Sequence, residues 1–72
     1  MWIKLNDGNI IDASGKSIIA TETGEVVLMD FQSNYFTVGA YLRKEIAENI
    51  VNDIFEEIEA GSKTYVMPQG VE

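Results

Sequence analysis

Few side chains in this 72-residue protein are of a kind that does chemistry, and the most suggestive sit together at Ser14-Gly15-Lys16-Ser17. A Gly-Lys-Ser triplet ends a phosphate-binding loop, where backbone amides cradle the phosphates and the lysine reaches the outer ones. The complete pattern needs a second glycine five positions before Gly15. That position is Ile10, and Gly8 lies two residues too far back. The loop must also open directly into a helix whose N-terminus receives the phosphate. Ile18-Ile19-Ala20-Thr21 reads as a strand instead. The spacing therefore predicts a turn or bulge at Gly15 between two strand pieces. Ser14, Lys16 and Ser17 remain candidate contacts to an anionic ligand, with Tyr41 as a stacking ring and Arg43 as a second positive charge.

The other reactive groups are carboxylates. Glu56 and Glu57 are adjacent, but neighbours on a helix diverge by about 100° and do not form an acid–base pair. Asn6, Asp7, Asn9 and Asp12 approach a calcium loop. They lack its glycine at the sixth position and its glutamate at the twelfth. There is no Cys and no His. Disulfides and thiolate metal sites are excluded, and the commonest general base is missing. These features predict a protein that is not an enzyme and holds no cofactor or metal.

The net charge is −7, from 12 acids and 5 bases. That opposes direct binding to nucleic acid, which requires basic surface, and equally to an anionic membrane. No apolar run approaches the ~20 residues that span a bilayer. Met1-Trp2-Ile3-Lys4-Leu5 lacks the long apolar region of a signal peptide. The expected location is the cytoplasm. A chain this short, with neither disulfide nor metal, is expected to gain stability by forming a homo-oligomer.

The elements that must position these groups follow from periodicity. Strands are predicted at Trp2–Leu5, from Ile10, at Ser17–Thr21, at Glu25–Phe31 and at Tyr35–Tyr41. Asp7-Gly8 and Thr23-Gly24 mark turns. The period then changes. Between Leu42 and Ala60, apolar residues at Ile46, Ala47, Ile50, Val51, Ile54, Phe55 and Ile58 make an amphipathic helix with a wide buried stripe. Gly61 stops it, and Lys63–Met67 forms a last strand before Pro68. The expected fold is α+β: a small antiparallel meander of four to five strands with one C-terminal helix packed on one face. Residues 1–68 make a single domain, and 69–72 a loose tail.

The charge on this helix runs backwards. Arg43 and Lys44 come first, and Glu45, Glu48, Asp53, Glu56, Glu57 and Glu59 follow. The helix dipole favours the opposite order, and no Ser, Thr, Asp or Asn stands before Arg43 as a cap. The helix must therefore rest on its apolar face. Its acidic side, with Glu48, Asp53, Glu56 and Glu57 as the candidate contacts, suits a protein partner with a basic surface.

The two ends of the chain resemble a group of very small phage and prophage proteins. "MWIKLNDGNII" matches their Trp-Ile-x-Leu strand, glycine turn and Ile-Ile strand. Gly39-x-Tyr41, Ala47, Ile50, Ile54, Ile58, Gly61 and Tyr65-Val66-Met67-Pro68 match their closing half. The likeness covers most of the chain and consists of structural residues. Where a polar helix cap is expected after Tyr41, this chain has Leu42. What the resemblance implies is a cytoplasmic accessory protein of the kind that counters host defence. Three functions then compete, the least specific being a purely structural or assembly role. One is a phage-type binding protein that blocks a host defence protein through its acidic helix or a strand edge. Another is an oligomeric sponge that sequesters a small anionic nucleotide signal near Ser14, Lys16, Ser17, Tyr41 and Arg43.

Overall fold

In a computed structural model that describes residues 1–70, the chain folds as α+β, with six strands in two small sheets and one helix. In chain order these are β1 (Trp2–Lys4), β2 (Ile10–Asp12), β3 (Ser17–Ala20), β4 (Glu25–Met29), β5 (Tyr35–Ala40), α1 (Lys44–Glu59) and β6 (Thr64–Val66). The predicted class, the antiparallel meander and the packed helix are all present. The strands, however, divide into two three-stranded sheets: β2-β1-β6, and the meander β3-β4-β5. The last strand runs parallel to β1, with Ile3 opposite Tyr65. Val71 and Glu72 of the expected tail lie outside the described residues.

Local chemistry accounts for the turns. Asp7 accepts the Asn9 amide at 2.9 Å, closing the hairpin that pairs Ile3 with Ile11. At the turn between β3 and β4, Gly24 has φ of 90°, which side-chain-bearing residues rarely adopt. A Cβ there would lie 2.6 Å from the Tyr41 carbonyl oxygen, so close approach demands glycine as well.

The helix begins on an extended Arg43 with no side-chain cap bond, as its sequence foretells. It ends in a Schellman motif. The Gly61 amide donates to the Ile58 carbonyl at 3.1 Å, and the Ser62 amide to the Glu57 carbonyl at 2.9 Å. Packing supplies what capping does not. Ala47, Ile50 and Ile54 are buried over β3 and β4, against Val26 and Leu28. Ile3 and Met67 complete the core from the side of β1 and β6, and Val38 and Tyr41 from the end of β5. The buried stripe is narrower than the periodicity predicts: Phe55 is 58% exposed and Ile58 47%. A single helix over two strands can seat only about a third of its circumference, and these two residues lie on its flank.

Truncating the stripe tests this packing. Ile54→Ala is expected to cost about 2–5 kcal/mol in urea unfolding, the range for emptying a closed core site. Leu42, 69% exposed and outside the helix, should tolerate Ala within about 0.5 kcal/mol.

Candidate functional site

Ser14-Gly15-Lys16-Ser17 is a turn that carries the chain from one sheet to the other. The Lys16 amide donates to the Ala13 carbonyl at 3.1 Å, and the Ser14 amide to Asp12 Oδ1 at 2.9 Å. Gly15 sits at φ 73°. Lys16 Nζ donates to the Asp12 carbonyl at 2.9 Å. The amides of Ser14 and Lys16, together with the lysine ammonium, are thus already bonded within the turn. Ser17 opens β3, so no helix N-terminus follows. Asp12 and Asp30 stand near this lysine. Hydrogen bonds from the Ser14 and Asn34 amides, respectively, hold their carboxyls below the usual range, and the Lys16 charge adds to this. The immediate surroundings hold carboxylates that repel a phosphate.

The two remaining ligand candidates lie elsewhere. Arg43 packs against Gly24, beyond the far end of β3, and ion-pairs with Glu45 at 3.5 Å. The length of β3 keeps its backbone roughly 13 Å or more from that of Lys16. Tyr41 points inward and is buried; its hydroxyl donates to the Pro68 carbonyl at 2.9 Å. A bulge decides this. Val27 pairs with Thr37 but Val26 pairs with Gly39, so Val38 is an extra residue. Strict alternation would leave Tyr41 on the same outer face as Tyr35 and Thr37, and the extra residue turns it into the core. The five proposed ligand contacts are therefore not brought together.

The four acidic candidates are all exposed but do not share one face. Glu48 lies beside Lys44 at 3.8 Å, and Lys44 also donates to Glu22 at 2.7 Å. Those two acids hold the ammonium pKa above its ordinary value, Glu22 more strongly. Glu57 accepts from the Ser62 hydroxyl. Asp53 and Glu57 face Tyr65 on β6. Burial chiefly raises that phenol's pKa, and the two carboxylates add to it. At about 100° per residue from the buried Ala47-Ile50-Ile54 stripe, Glu45 and Glu56 fall on the outer side of α1.

Three apolar surfaces went unnoticed in the sequence. On the outer face of β3-β4-β5, Ile19, Val27, Met29 and Tyr35 border an open concavity of about 350 Å³. Glu25 is the one charged group lining it. The continuous apolar run Val26-Val27-Leu28 signals this, because a strand wet on one face should alternate. On the outer face of β1, the exposed Ile10 and Val66 flank Lys4, with Trp2 beside it. The third surface is the flank of α1 at Phe55 and Ile58. Among the described residues, no group of His, Cys, Asp and Glu is placed to hold a metal, and no helix is long and apolar enough to cross a membrane.

No protein family, curated protein or solved structure matches the chain.

Two measurements check this geometry. Lys16→Ala should cost no more than about 1.5 kcal/mol, the scale of one hydrogen bond, and neither form should hydrolyse ATP or GTP. Burial raises the Tyr41 phenol above its ordinary value of 10.0. The unfolded chain then loses this proton first, so stability should fall as pH rises past about 10. Tyr41→Phe is expected to reduce that alkaline slope, and Tyr65 and Lys44, whose pKa values are also raised, to preserve the rest.

Proposed function

We propose that this protein is a non-enzymatic, phage-type accessory protein of the cytoplasm that blocks a host defence protein by docking a basic surface of that protein on α1. One observation carries the reading. All six carboxylates of α1 are exposed, and after Lys44 the helix has no basic residue. A field of one sign on a rigid element attracts and orients a partner of the other sign. The resemblance to small phage proteins supports the setting. The buried Tyr41 and the carboxylates of Asp12 and Asp30 beside Lys16 support a protein partner over a small nucleotide, because the ring is out of reach and the acids oppose an anion.

Reversing Glu48, Asp53, Glu56 and Glu57 to Lys should leave the circular dichroism spectrum unchanged. Association with the partner purified on the wild-type protein should slow by at least tenfold, and wild-type binding should weaken with added salt. A reversed variant that folds and retains full binding overturns the reading. Small molecules released on heating after incubation with a host extract would favour the nucleotide sponge.

A further inference from the structure

The geometry points to a second copy of this chain as the partner of the free β3 edge and the adjoining flank of α1, in a two-fold dimer with antiparallel helices. This inference does not depend on the function proposed above.

Sheet β3-β4-β5 has two edges. The β5 edge carries the bulge at Val38 and lies beside the Leu5–Asp7 turn, which shares a concavity with Thr37–Ala40. Bulges and covering loops are how natural sheets protect an edge. β3 has no such device: Ser17-Ile18-Ile19-Ala20 contains no charge, proline or bulge. The Thr21 amide donates to the Glu25 carbonyl. By alternation, Ser17 and Ile19 also bond to β4, and the main-chain groups of Ile18 and Ala20 point outward. Among the described residues, no hydrogen bond beyond the ladder engages them.

The helix completes this surface. It packs on β3 and β4, and its Asp53 and Glu57 turn toward β6. Val51, Phe55 and Ile58, spaced i, i+4, i+7, lie on the opposite flank, above the β3 edge. Phe55 and Ile58 are the large apolar residues of α1 that stay exposed.

Dimensions and charge select a copy of the same chain. Strands pair about 4.8 Å apart, so a helix seated between β3 and β4 stands one spacing from a two-fold axis at the edge. The two helices would then lie about 10 Å apart, at the outer end of the ordinary helix-packing range. The Lys44–Glu22 ion pair fixes the start of the helix level with Glu22, in the turn two residues beyond the end of β3. From there about 12 Å of helix reaches Val51 and Asn52, and at most about 13 Å of chain leads back to Ile18. An axis through Ile18 therefore passes the middle of α1. Ile18 exchanges both main-chain bonds with its symmetry mate. Lys44 of one protomer faces Glu59 of its partner, twice over. The reversed charge order, unfavourable within a single helix, becomes complementary between two antiparallel helices, whose dipoles also oppose.

Sedimentation equilibrium at high micromolar concentration tests the proposal. The wild type should run at twice the 8.0 kDa of one chain. Phe55→Asp should run as a folded monomer. Lys44→Glu and Glu59→Lys should each weaken the dimer at least tenfold, because each places like charges together twice. Mixing these two variants in equal amounts should restore dimer, because the mixed pair regains both contacts. A monomeric wild type, a Phe55→Asp variant that still dimerises, or a mixture that stays monomeric overturns it.

Discussion

Val26 and Leu28 on β4 have no exposed surface, and that single requirement organises the molecule. A three-stranded sheet cannot exclude water from its own face, so another element must cover it. No one element here is wide enough. The 16-residue helix covers the β3 and β4 side with Ala47, Ile50 and Ile54. The β5 side is left to Ile3 of β1 and Met67, which follows β6. The first and last strands of the chain pair with each other because both are needed over the same half of the same face. Tyr41 ties the two halves, with its ring in the core and its hydroxyl on the Pro68 carbonyl.

This division of labour explains which parts of the structure were legible in the sequence. Strands, helix and turns follow from local chemistry: alternation, the three- and four-residue steps after Leu42, and Asp7-Gly8. The split into two sheets does not, because strand pairing depends on what each strand must cover and not on its own pattern. Lys63–Met67 reads as a strand, yet nothing in it names β1 as a parallel neighbour. The candidate ligand set failed for a similar reason. One extra residue at Val38 reverses every side chain beyond it, and Gly39 is its only trace in the sequence. The same period that placed Tyr41 outward could not register the bulge that turned it in.

The acidic grouping was legible as charge but not as geometry. Counting acids along α1 finds the excess. Only the position of β6 shows that Asp53 and Glu57 face Tyr65, while Glu56 faces solvent. A basic partner approaching the helix from outside meets Glu45 and Glu56 first. Asp53 and Glu57 contribute through the longer-range field, which salt screens within about 8 Å at physiological ionic strength.

The two surfaces of α1 meet at Glu48, which shares a flank with Lys44 and Phe55, and otherwise occupy different parts of its circumference. The apolar flank at Val51, Phe55 and Ile58 faces the β3 edge, and the carboxylates at Glu45 and Glu56 face away from it. Pairing two helices along the first would place two copies of the second side by side and double the local field. Repulsion between chains of net charge −7 opposes such an assembly. The Lys44–Glu59 contacts offset it where the helices meet, and the uncharged Ser17–Ala20 edge adds none at the seam. The outer acids stay in water, where the high dielectric holds the interaction of each pair at 4 Å to about 1 kcal/mol. An acidic protein can thus associate with itself along its least charged line and still keep its charge for another partner.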